Sequence, residues 1–203
     1  EPLAEFVNRS GHLAAPLVAT IVEQIGAALT SAHASGIIHR DLKPANIMYN
    51  PATQEAKLLD FGIARDSEVD AEERLTRAGF FVGTLQYVAP EALSGELVSE
   101  QADVYSLATI AYYLLTGTLP FTGKSPRELF QQLLSQQPVP LNQATRGLKF
   151  PPAVEAAVMC GLERELPKRC RTVDEWARGF CTAVRQEKKK GGFLSSIFRK
   201  GGE

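Results

Sequence analysis

The run "EQADVYSLATIAYYLLT", residues 100 to 116, constrains the fold more than any other stretch. Wound as an α-helix, it is apolar around nearly its whole circumference, so no side of it can face water at ease. Other elements have to wrap it, which makes it the central helix of a helical domain. The surrounding pattern supplies candidates. Residues 17 to 35 place Val18, Ile21, Val22, Ile25, Leu29 and Ala32 at helical spacing, with Gly36 where a helix-ending glycine belongs. Further helices are expected over 126 to 136, 152 to 163 and 173 to 186. The short apolar runs "NIMY" and "AKLLD", separated by the turn-rich "NPATQEA", read as a small hairpin with Asn46 and Asp60 at its outer ends. From Phe61 to Glu91 no periodicity is clear, and a charged, glycine-bearing loop of about 30 residues in a compact domain is usually functional or disordered. The expected fold class is mainly α with one or two small β-hairpins.

A chain of 203 residues is long enough for one domain with a real core. Its 44% hydrophobic and 22% charged residues, with a net charge of −1, are those of an ordinary soluble globular protein and show no nucleic-acid footprint. The total hides an asymmetry, because residues 185 to 203 carry six Lys/Arg against two Asp/Glu and leave a net −5 on residues 1 to 184. The last segment is therefore read separately, as a basic tail or linker. Cys160, Cys170 and Cys181 are odd in number, lack C-x-x-C spacing and have no clustered histidines, which argues against a zinc site or a disulfide framework and for a reducing compartment. No signal-peptide pattern opens the chain, and no uncharged apolar run approaches the ~20 residues of a membrane span.

The stretch "GIIHRDLKPANIMYN", residues 36 to 50, concentrates His39, Arg40, Asp41, Lys43 and Asn46 between apolar flanks. It is followed by "DFG" (60 to 62), "GT" (83 to 84), "APE" (89 to 91) and "DVYSL" (103 to 107). In this order and approximate spacing the motifs resemble the C-terminal lobe of a protein kinase, specifically a bacterial-type serine/threonine kinase. The resemblance covers residues 1 to 184, with a catalytic loop at 39 to 46 and an activation segment at 60 to 91. It implies a protein kinase-like fold, ATP and Mg²⁺ as cofactors, and a protein substrate with a Ser or Thr acceptor. Phosphoryl transfer is catalysed chiefly by positioning and charge neutralisation, which explains the clustering of carboxylate, amide and ammonium groups. By resemblance, Asp41 accepts or orients the proton of the substrate hydroxyl, Asn46 and Asp60 hold Mg²⁺, and Lys43 balances γ-phosphate charge. His39 and Asp103 resemble residues that hold the catalytic loop by packing and backbone hydrogen bonds. Phe61 sets the loop conformation and Gly62 permits its dihedrals. Glu91 resembles a glutamate paired with a buried arginine, here Arg169. Lys43 and Thr84 match serine/threonine rather than tyrosine kinases. Arg40 is placed to pair with a phosphorylated loop residue, for which Thr76 is the candidate.

The same sequence departs from the family at the front. No G-x-G-x-x-G loop and no strand lysine of the "VAIK" kind occurs, so the expectation is of the C-terminal lobe only, with a missing N-lobe as its partner. A non-catalytic binding or scaffolding module is the alternative reading, and a small-molecule phosphotransferase a more distant one. "GTLPFTGKS" (117 to 125) only imitates a phosphate loop, since Thr118 stands where that pattern needs glycine. His33 is expected to be helix packing or surface. The segment 188 to 200 sets Phe193, Leu194, Ile197 and Phe198 among lysines and arginine, a pattern that suits an anionic membrane surface or a partner as well as a solvated linker. The expected location is cytoplasmic, with membrane association in the full-length protein as the variant that the tail suggests.

Overall fold

The computed structural model describes residues 1–59, 85–94 and 96–199, with side chains through Gln186. In chain order the elements are α1 (Leu3–Ser10), α2 (Ala15–Ala34), a 3₁₀ turn at Pro44–Asn46, β1 (Ile47–Asn50), β2 (Glu55–Leu58), α3 (Pro90–Leu93), α4 (Gln101–Thr116), α5 (Pro126–Ser135), a second 3₁₀ turn at Leu141–Gln143, α6 (Pro152–Gly161) and α7 (Val173–Arg199). The described architecture is helical with one two-stranded sheet.

Helix α4 is the centre that its composition requires. Every residue from Ala102 to Tyr112 is buried, and α2, α6 and α7 pack against it. A close approach is made at Gly161, where an added Cβ would come within 2.5 Å of Ala108 Cβ and 2.6 Å of Trp176 Nε1. Only a residue without a side chain lets α6 meet α4 beside the indole. Trp176 is buried in turn, stacks on Phe180 with ring centroids 5.6 Å apart, and donates from Nε1 to the Ala157 carbonyl at 2.9 Å.

Helix α2 has the length and hydropathy of a membrane span by composition alone. Its apolar stripe of Val18, Ile21, Val22, Ile25 and Leu29 is wholly buried, and α2 packs on α7, β2 and α4, so here it is a core helix. Glu23, on its outer side, pairs with Arg185 of α7 at 2.5 Å. The helix ends in a Schellman arrangement. Gly36 has φ 74°, its N–H donates to the His33 carbonyl at 2.9 Å, and the Ile37 N–H donates to Ala32 at 3.0 Å. That left-handed glycine turns the chain directly into residues 39 to 46.

The hairpin is antiparallel, pairing Ile47 with Leu58, Met48 with Lys57, Tyr49 with Ala56 and Asn50 with Glu55. Ile47 and Tyr49 point into the core. Gln24 of α2 fastens the hairpin from behind, accepting from the Ala56 N–H at 2.8 Å and donating to the Gln54 carbonyl at 2.9 Å.

Two differences from the sequence reading stand out. Helix α7 runs on to Arg199 rather than ending near residue 186: Glu187 to Lys190 are good helix formers, and beyond Gly191 and Gly192 the residues Phe193, Leu194, Ile197 and Phe198 resume a helical apolar spacing. The second difference is that Cys160 and Cys170, apart in sequence, lie with their sulfurs 3.2 Å from each other.

Candidate active site

Residues 39 to 46 begin just beyond Gly36, where α2 hands the chain over, and they are suspended from α4. Asp103, fully buried near the start of that helix, accepts from the His39 N–H at 2.8 Å through Oδ2 and from the Arg40 N–H at 3.1 Å through Oδ1. These charge-assisted bonds hold Arg40 at φ 63°, a left-handed conformation that costs a non-glycine residue roughly 1–2 kcal/mol. His39 is also fully buried. Its Nδ1 accepts from the Asp41 N–H at 3.3 Å and its Nε2 lies 3.3 Å from the Leu59 carbonyl. The ring thereby bridges residues 39 to 46 to the end of the hairpin.

Asp41, Lys43 and Asn46 converge on the outer side. Lys43 Nζ donates to both carboxylate oxygens of Asp41, at 3.0 and 3.3 Å. Asn46 Nδ2 donates to the Asp41 carbonyl at 2.9 Å and to its Oδ2 at 3.2 Å. The Asp41 and Lys43 side chains are 18% and 21% exposed, open to solvent yet partly shielded from it. Backbone chemistry aids the placement. Lys43 precedes Pro44 and is extended, at φ −155° and ψ 159°, as a residue before proline prefers. The Leu59 N–H bonds the Asn46 carbonyl at 2.8 Å and so ties the far strand to the loop. With its NH₂ engaged, Asn46 offers its amide oxygen as a hard donor, which suits a divalent cation such as Mg²⁺.

Glu91 and Arg169 form the buried pair that the resemblance implied. Arg169 Nη1 and Nη2 donate to the two Glu91 oxygens at 2.7 and 3.1 Å, with the arginine side chain 0% and the glutamate 3% exposed. The remaining guanidinium donors reach the carbonyls of Glu163, Gln101 and Arg164 at 2.7, 3.0 and 3.3 Å, so all five are used. The guanidinium also lies over the Tyr105 ring, 5.1 Å from its centroid. Ser106 holds the approach to Glu91, its hydroxyl bonding the Tyr87 carbonyl at 2.7 Å.

His33 is the residue that sequence reasoning undervalued. Its ring is 7% exposed, with Nε2 2.8 Å from Asp103 Oδ2 and Nδ1 3.2 Å from Glu100 Oε2. The bond to Asp103 raises its pKa above the ordinary histidine value, against the opposing effect of burial. A lone histidine in an apolar helix carries no sequence signal of this. The usable clue is geometric, since His33 closes α2 on the side facing residues that must hold the loop. Asp60, Phe61, Gly62, Thr76 and Thr84 lie outside the described residues, as does most of the activation segment. Among the described residues no cluster of three or more His, Cys, Asp or Glu side chains forms a metal site.

Comparison with known proteins agrees with this geometry. The family model for the protein kinase domain matches residues 1–188. The chain is 33% identical over 214 residues to the serine/threonine-protein kinase pkn3 of Myxococcus xanthus, covering 98% of this chain and 39% of that protein. It is 36% identical over 173 residues to the serine/threonine-protein kinase PknB of Mycobacterium tuberculosis, covering 85% of this chain and 27% of PknB. The chain thus spans well under half the length of these relatives. Among solved structures, Rad53 1-466 in complex with AMP-PNP superposes with a TM-score of 0.71 at 27% identity, over 89% of this chain and 43% of that one. With the protein kinase domain model matching residues 1–188 and these serine/threonine kinases as relatives, the chain belongs to the protein kinase family, of the bacterial serine/threonine type.

Proposed function

We propose that this chain is the C-terminal lobe of a serine/threonine protein kinase that transfers the γ-phosphoryl group of ATP to Ser and Thr hydroxyls of protein substrates. The observation that carries the reading is the convergence of Asp41, Lys43 and Asn46 within hydrogen-bonding distance on a loop anchored in the core. The transition state of phosphoryl transfer spreads charge over the equatorial oxygens, so the protein contributes position and countercharge rather than covalent chemistry. Asp41 orients the acceptor hydroxyl and takes its proton as the new O–P bond forms. Lys43, bound to both Asp41 oxygens, keeps that carboxylate aimed and offers its charge to the transferring phosphoryl group. Asn46 holds the loop closed through its NH₂ and, together with Asp60 by resemblance, would hold Mg²⁺. That ion, when bound, neutralises charge on the nucleotide phosphates.

The glycine-rich loop and strand lysine that cover the phosphates in the family do not occur in these 203 residues, and an N-lobe supplying them is the partner this site requires. The test is phosphate transfer from labelled ATP to protein acceptors by the natural polypeptide containing this sequence, wild type against Asp41→Asn. The variant is expected to lose about 10²–10⁴-fold in kcat while the 203-residue chain alone transfers little. Transfer that survives in Asp41→Asn, or labelling of small molecules with no protein acceptor labelled, would overturn the proposal. Absence of transfer by the natural polypeptide would favour the binding-module alternative.

A further inference from the structure

Cys160 lies one residue before the end of α6, and Cys170 lies at the exit of the loop that leads to α7. Their Sγ atoms are 3.2 Å apart, and Cys160 Sγ is also 3.9 Å from the Lys168 carbonyl. Both residues are half-buried, whereas Cys181 is buried with its Sγ 3.3 Å from the Ala19 carbonyl. The loop between the two sulfurs is held firmly. Gln101 Nε2 reaches the carbonyls of Leu166, Arg169 and Cys170 at 2.9, 3.4 and 3.2 Å. Arg169 ties it to Glu91. The thiols are therefore brought together by the network that positions Arg169, and a shift of about 1 Å would bring them to bonding distance.

We propose that Cys160 and Cys170 are an oxidisable dithiol which hydrogen peroxide converts to an intramolecular disulfide, latching the loop that carries Arg169. Cys160 sulfur attacks the peroxide as its thiolate, the O–O bond breaks, and the products are a Cys160 sulfenic acid and water. Cys170 sulfur then attacks Cys160 sulfur, the S–O bond breaks, and hydroxide leaves as water with the Cys170 proton. Two thiol hydrogens and two electrons pass from the protein, and the peroxide is reduced to two waters. The order follows from the surroundings. The two sulfurs share a contact in which either can be the donor, and burial with that bond raises the Cys170 thiol, which suits Cys170 to the resolving role. Dithiols of this kind are compatible with a reducing compartment, where disulfides are transient and redox-sensing. The chemistry does not depend on phosphotransfer, so this proposal and the kinase reading can fail separately.

The test treats the reduced 203-residue chain with hydrogen peroxide and follows intact mass, peptide linkage without reductant, and thermal unfolding. Wild type and Cys181→Ser are expected to lose two hydrogens and to yield a Cys160–Cys170 linked peptide, and Cys160→Ser and Cys170→Ser to do neither. The linked chain is expected to melt several degrees above its reduced form, because the closed loop restricts the unfolded state. Oxygen adducts on single cysteines without linkage, linkage through Cys181, or a linked chain that melts no higher would overturn the proposal.

Discussion

Arg169 shows what a buried charge requires. Its five donors are all met, two by Glu91 and three by backbone carbonyls. Truncation would strand the Glu91 carboxylate in a site only 4% exposed. Arg169→Ala is expected to lose about 3–5 kcal/mol of stability in urea unfolding, whereas Arg169→Met combined with Glu91→Leu, which removes both charges, should lose much less. Equal losses would show that packing rather than charge pairing dominates. The pair was legible in the sequence because "APE" marks one partner and the charged stretch before "VDEW" supplies the other. His33 was not legible, since nothing in "TSAHASG" tells a ring against water from a ring against two carboxylates.

At the scale of elements, the helices that declared themselves were those whose periodicity survives burial. The all-round apolar pattern of α4 and the stripe on α2 led to boundaries within one or two residues of those observed. Helix α7 overran its expected end, because Gly191 and Gly192 read as a break in sequence although the apolar residues beyond them, Phe193, Leu194, Ile197 and Phe198, keep helical spacing. The pairing of Cys160 with Cys170 depends on a loop folding back on the end of α6, a tertiary event that no local spacing encodes. Two glycines separate two physical roles. At Gly36 an added Cβ meets nothing within 4 Å, so Gly36→Ala isolates the left-handed conformation and should lose about 1–2 kcal/mol. At Gly161 the added carbon would collide with Ala108 and Trp176. Gly161→Ala is therefore expected to lose about 1–3 kcal/mol or more through overpacking. It should also disturb the environment of the sole tryptophan, whose fluorescence reports the change; an unaltered emission spectrum would contradict the contact.

For the molecule as a whole, the His33 triad makes stability depend on pH in a definite direction. Its folded pKa is raised above 6.5, chiefly by the hydrogen bond to Asp103. The protonated ring therefore contributes fully below about 6.5, and that contribution is lost as pH rises through the folded value. Other groups face the same site, with Asp103 on α4, Glu100 at its N-cap and His39 on the loop. Melting temperatures measured across this range should fall with rising pH more steeply in wild type than in His33→Gln, and parallel curves would refute the role assigned to His33. The attachment of His39 and Arg40 to Asp103 also has a kinetic meaning. Ordinary irregular segments open on nanosecond to microsecond timescales, independently of the core beneath them. Here opening requires two charge-assisted bonds to a fully buried carboxylate to break, which moves the event toward the rare, subglobal openings of the core helices. The segment bearing Asp41 is thus a loop in shape with the lifetime of a helix.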